Sequence, residues 1–144
     1  MRKILFTIAL TIGMLYTAQA QRSIGNKAPE GFYKLDTGVF VNSARAEMSL
    51  VAFDKQLNTK NIVSQSKAGF KYVEGSYNAV EFIGSTMHFG LFETSDARNK
   101  FAFITAVWTG ERTLVAITQA ATVAEVLKLT EKTGWLIGFN WTDL

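Results

Sequence analysis

The sequence predicts an α+β fold, an antiparallel β-sheet with a C-terminal helix packed on it. Three observations predict it. Apolar residues recur with period two over residues 46–53 and 80–94, the repeat of a strand rather than a helix. Two apolar runs, residues 100–108 and 112–119, flank Thr109-Gly110-Glu111, which reads as a hairpin. A single capping box, Thr122-Val123-Ala124-Glu125, opens one helix near the end.

The first twenty residues read as a secretory signal peptide. Arg2 and Lys3 precede the nearly uninterrupted apolar stretch 4–15, and Ala18-Gln19-Ala20 forms a small-x-small cleavage site. That stretch falls short of the about 20 apolar residues of a membrane span, so cleavage after Ala20 is expected over retention as an anchor. The product would be exported, to the periplasm or beyond the cell, with no transmembrane span left. Removing two positive charges leaves 13 Lys and Arg against 12 Asp and Glu, a balance too even for a nucleic-acid surface. The chain has no cysteine. Disulfides, thiolate nucleophiles and Cys-ligated metals are therefore excluded, and the domain depends on its apolar core even where disulfides could form.

Residues 21–30 are polar, with Gly25 and the only proline, Pro29, and read as a flexible lead-in. Residues 31–144 form a single domain. Within it, Gly38-Val39-Phe40-Val41 is a short strand. From Ala46, the residues Met48, Leu50 and Ala52 take one face, and Ser49, Val51 and Phe53 the other. Residues 54–67 are polar with sparse anchors Leu57, Ile62 and Val63, which fits a loop holding a helical turn. A strand is expected over 70–77 and a turn at Asn78-Ala79. Over 80–94 one long strand is expected, with Ile83, Met87, Phe89 and Leu91 on its core face. Gly84 and Gly90 mark bulges or close backbone approach.

In the hairpin, Ala102, Ile104, Ala106 and Trp108 share a face with Thr113, Val115 and Ile117. Phe101, Phe103, Val107, Leu114 and Ala116 share the other. Both faces are apolar, which places the hairpin centrally in the sheet. The helix should run over 123–133, with Val123, Val126, Leu127 and Thr130 as its stripe and Gly134 as its stop. The tail from Trp135 to Trp141 is apolar enough to fold back on the body.

The order of these elements resembles the small exported bacterial members of the PsbP-like superfamily. The likeness runs through Pro29-Glu30-Gly31-Phe32, Glu47-Met48-Ser49-Leu50-Val51, Gly69-Phe70-Lys71-Tyr72-Val73-Glu74-Gly75, the long hairpin and the capped helix. It implies an α/β/α sandwich. It carries no functional residues onto this chain, which also lacks a long first helix.

His88 is the only histidine. As a general base it would need a nucleophile or carboxylate beside it, and no Gly-x-Ser-x-Gly element occurs. A metal site would have to combine His88 with Glu81, Glu93 or Asp96, and Glu81 is expected on the opposite strand face. Ser64, Ser66 and Ser95 fall in polar stretches, and the aromatic residues fall mostly at core positions. Trp135 and Trp141 are the exceptions, and Asn140-Trp141-Thr142 is a glycosylation sequon. The expectation is an exported, non-enzymatic binding or accessory domain of the bacterial envelope. It has no catalytic, cofactor-binding or metal residues, no cofactor, and an envelope protein or small ligand as partner. The competing expectation is a small-ligand-binding or enzymatic cone-shaped domain, like the nuclear transport factors, with a pocket near His88.

Overall fold

The computed structural model describes residues 21–23, 31–36, 39–82 and 84–129. Among the described residues nine strands build one antiparallel sheet: β1 (Gln21–Ser23), β2 (Phe32–Asp36), β3 (Val39–Asn42), β4 (Glu47–Phe53), β5 (Phe70–Tyr72), β6 (Asn78–Phe82), β7 (Ser85–Thr94), β8 (Phe101–Trp108) and β9 (Thr113–Ala120). Helix α1 (Thr59–Ser64) lies between β4 and β5, and helix α2 covers residues 123–129.

The sheet order is β2-β3-β4-β9-β8-β7-β5. The outer side of β4 is divided between β3, at Glu47 to Ser49, and β1, at Val51 to Phe53. β7 is shared likewise between β6 and β5. The centre is β4-β9-β8. β4 and β9 are buried at every residue, as strands with two apolar faces must be.

The hairpin register agrees with the sequence. Trp108 opposes Thr113, Ala106 opposes Val115 and Ile104 opposes Ile117. Thr109 N–H donates to the Arg112 carbonyl at 2.9 Å, which makes Gly110-Glu111 the two-residue loop. Gly110 has φ +98°, the conformation that a tight hairpin asks of its first central residue.

On one face of the sheet, Val51, Phe53, Phe92, Ile104, Val115 and Ile117 pack with Leu57 and with Ile62 and Val63 of α1. Asn58 caps α1, its Oδ1 accepting from Asn61 N–H at 3.1 Å. The helix comes so close to β7 that a Cβ built on Gly90 would lie 1.8 Å from the Val63 carbonyl oxygen. Only glycine fits there. On the other face Met48, Leu50, Ala52, Met87, Val107, Leu114 and Ala116 form a second cluster. α2 covers one end of that face, with Val126 and Leu129 against Ala46 and Ala120. Thr122 caps it as the capping box requires, its Oγ1 accepting from Glu125 N–H at 3.1 Å.

Several expectations are corrected. Residues 80–94 are not one strand: β6 and β7 form a hairpin that turns at Gly84, φ +76°. Asn78 and Ala79 therefore begin a strand rather than a turn. The preceding strand stops at Tyr72, followed by a turn at Glu74 and Gly75. The expected lead-in begins as β1, and β2 was not anticipated at all. On α2, Leu127 is half-exposed, and the buried stripe is Val126 and Leu129. Residues 130–144, which include the rest of the expected helix and the apolar tail, and the signal segment 1–20 lie outside the described residues.

The edges are blunted. β2 carries an exposed Lys34 and a bulge between Lys34 and Asp36, and β5 is three residues long with an exposed Lys71. Short, charged or bulged edges resist pairing with other chains.

Gly90→Ala should cost about 1–3 kcal/mol, the range of overpacking against a packed neighbour. Urea denaturation of the two proteins would measure it. An unchanged midpoint would mean that α1 does not rest on β7.

Candidate functional site

The β6–β7 hairpin builds the first polar cluster. Its register sets Ala79 opposite His88 and Glu81 opposite Thr86. Directly opposed residues share a face, so Glu81 lies on the same face as His88. The sequence expectation was the reverse, because the turn at Gly84 resets the alternation. Tyr77, just before β6, holds His88: its hydroxyl lies 2.9 Å from Nδ1. The two rings stack at 5.9 Å with 25° between their planes. Lys60, in the first turn of α1, sets its ammonium 5.4 Å from the centre of the Tyr77 ring, a cation–π distance. Burial first, and then the Lys60 charge, push the His88 pKa below its ordinary 6.5. His88 is thus a neutral imidazole at pH 7 and engages Tyr77 through one nitrogen.

Glu81 accepts from Thr86 Oγ1 at 3.2 Å. Glu93 opposes Lys71 across β5 and β7. Asp96 sits in the loop before β8, where its Oδ1 accepts from Arg98 N–H at 2.7 Å and Asn99 N–H at 2.9 Å. Burial works to raise the Asp96 pKa, the Asn99 and Arg98 backbone donors work to lower it, and the net shift is downward. Among the described residues, no three of His, Asp and Glu gather as a metal site would need. Two of the three candidate serines are occupied locally: Ser64 Oγ donates to the Lys60 carbonyl, and Ser66 Oγ accepts from Tyr72 N–H; Ser95 is tied through its backbone, its N–H donating to the Gly69 carbonyl at 3.3 Å.

A second polar feature closes the end of α1. Lys67 Nζ donates to the Ile62 and Gln65 carbonyls at 2.5 and 2.8 Å. It also sits 4.0 Å from the centre of the Phe92 ring. Two helix-end carbonyls and a ring face stand where a carboxylate would usually be. Burial lowers the Lys67 pKa from 10.5 to about 8. The residue borders an open cleft of about 410 Å3, shared with Ser66, Gly69, Phe70, Lys71 and Glu93. A neighbouring cleft of about 400 Å3 runs along residues 93–97 to Lys100 and Phe101. His88 lines neither.

A third feature ties loops together at one end of the sheet. Gln119 Nε2 donates to the Asn99 carbonyl at 3.1 Å. Asn99 Nδ2 in turn donates to the carbonyl of Arg45 at 2.8 Å, a residue held at φ +65°. The sequence pointed to His88 but not to Tyr77, Lys60 or Lys67. A hairpin turn at Gly84 was the signal that could have found Tyr77. Nothing in the local text marks Lys67, because its partners are backbone carbonyls. Trp135, Trp141 and the sequon lie outside the described residues. Comparison with family models, curated proteins and solved structures finds no match.

Between pH about 8 and 10.5 the unfolded chain keeps the Lys67 proton that the folded chain has lost. Stability should therefore rise with pH through that window, by up to about 1.4 kcal/mol per pH unit. Denaturant titrations at pH 7.5 and 10 would show the rise, and Lys67→Met should flatten it. A wild-type stability that falls across the window would contradict the assignment.

For His88 the folded pKa is also lowered, so its contribution to stability is present at neutral pH and is lost as the medium acidifies below about 6.5. His88→Gln should change neutral-pH stability by no more than about 1 kcal/mol and remove that acid sensitivity. Thermal melts at pH 5 and 7.5 would read both.

Proposed function

We propose that this chain is an exported, non-enzymatic binding or accessory domain of the bacterial cell envelope, built as a PsbP-like α/β/α sandwich. The signal-peptide anatomy of residues 1–20 supports export. The layering supports the sandwich, since α1 packs on one face of the sheet and α2 on the other. The observation that carries the non-enzymatic reading is the contact of Val63 with Gly90. A cone-shaped ligand-binding domain keeps its chamber between a helix and the concave sheet. Here that space is filled by Ile62, Val63, Phe70, Phe92 and Ile104, all buried. The two clefts, neither of which His88 lines, lie open at the surface, where a partner protein would meet them.

The competing reading, a small-ligand or catalytic site at His88, draws on one observation: Tyr77 hydrogen-bonds the imidazole while Lys60 lies beside it.

Two measurements decide. Mass spectrometry of the protein exported from a bacterium should find the N-terminus at Gln21. A partner recovered from envelope extract, then purified, should bind the mature domain saturably. His88→Gln and Tyr77→Phe should leave its Kd within about twofold, as surface substitutions do. A His88→Gln protein that keeps its melting temperature and loses all binding or activity would move the site to His88. An intact Met1 on the exported chain would overturn the signal peptide.

A further inference from the structure

Among the described residues, Lys67 is the one lysine that is not exposed. Its backbone is pinned: Lys67 N–H donates to the Phe70 carbonyl and its carbonyl accepts from Phe70 N–H, each at 2.9 Å. Its side chain reaches back to the end of α1, where Nζ meets the Ile62 and Gln65 carbonyls and the face of the Phe92 ring. None of these contacts is a carboxylate. They suit a free amine as well as an ammonium. An ammonium has three N–H donors, and the amine, one proton poorer, has two. The two carbonyls satisfy both, and the amine lone pair is left over. Burial without a counter-charge favours the neutral form, in keeping with the Lys67 pKa of about 8. At pH 7 about one chain in ten then carries the free amine, against fewer than about one in a thousand for a lysine in water. Desolvation of this kind is what makes a lysine a nucleophile.

The amine borders the open cleft of about 410 Å3, a size that small-molecule sites share. Ser66, Thr94 and Ser95 bring hydroxyls to it. The other charged groups on it are Lys71 and Glu93, which oppose each other on β5 and β7. Their charges offset, so the lining suits a neutral, oxygen-bearing molecule better than an ion.

We propose that Lys67 is a covalent capture site for small neutral aldehydes, which enter this cleft and form an imine on Nζ. The Nζ lone pair forms the bond to the carbonyl carbon as the π pair moves to oxygen. Both nitrogen protons end on that oxygen, which leaves as water, and the C=N double bond remains. No oxidant or reductant is consumed. When protonated, the imine keeps one N–H for an α1 carbonyl, and the Phe92 ring faces the positive charge. Capture is stoichiometric and needs no other residue as catalyst. It is independent of the partner proposed above.

Acetaldehyde with sodium cyanoborohydride is the probe, because the reductant locks the imine as a stable secondary amine. After brief treatment of the folded protein at pH 7, peptide mapping by mass spectrometry should find Lys67 alkylated roughly tenfold faster than the exposed Lys71 and Lys100. The larger free-amine fraction sets that preference, and the lower nucleophilicity of a less basic amine takes back part of it. The preference should shrink toward pH 10, where amines in water also lose their protons. In guanidinium chloride above the unfolding midpoint it should vanish. Lys67→Arg protein should lose the fast site and keep the slow labelling of Lys71 and Lys100. Lys67 alkylated no faster than Lys71 in the folded protein would overturn the proposal. So would a preference for Lys67 that survives unfolding, since the cleft and the end of α1 would then have no part in it.

Discussion

Because β9 is buried at all eight of its residues and β4 at all seven, the centre of this sheet has no face that can be left to water, and the rest of the molecule is arranged to cover it. Ile104, Val115 and Ile117 point one way, and Val107, Leu114 and Ala116 the other. At about 25 cal/mol per Å2 of apolar surface removed from water, neither side can be given up. A domain without cysteine has no cross-link to compensate.

α1 covers the first face with only six residues, too few to hold a helix in water. It persists because both ends are fastened and its inner side is pressed home. Asn58 accepts at the N-terminus, Lys67 donates to carbonyls at the C-terminus, and Gly90 lets the backbone settle into the sheet. The same short helix carries Lys60 to Tyr77 and His88. The polar cluster and the core packing are therefore coupled: moving α1 off β7 would separate Lys60 from the tyrosine ring and change the electrostatics of the imidazole. Thr113 adds a similar tie, accepting from Leu57 N–H and donating to the Lys55 carbonyl.

Much of the centre was legible in the sequence, and the margins were not. The β8–β9 pairing could be read because alternation, a glycine turn and two apolar faces all agree on one register. The Thr122 cap could be read because a capping box is a local signal. The β6–β7 hairpin was missed because the apolar run 80–94 continues through Gly84, and alternation alone does not reveal where a chain reverses. That error reversed the side assigned to Glu81. β1 escaped because Gln21-Arg22-Ser23 holds no apolar residue, and a short edge strand that pairs on one side only needs none. Of the candidate site, His88 stood out by being the sole histidine. Its partners Tyr77 and Lys60 come from separate elements, and Lys67 is held by carbonyls, which leave no trace in side-chain composition.

Stability resides in β4-β9-β8, and the outer strands and α1 are held by it. Native-state hydrogen exchange tests this most directly. Amides of β8 and β9 should exchange only through global unfolding, with free energies that track the denaturant-derived stability. Those of β2 and β5 should exchange through smaller local openings. If β9 amides exchanged as readily as those of β2, the doubly covered centre would not be what holds the fold together.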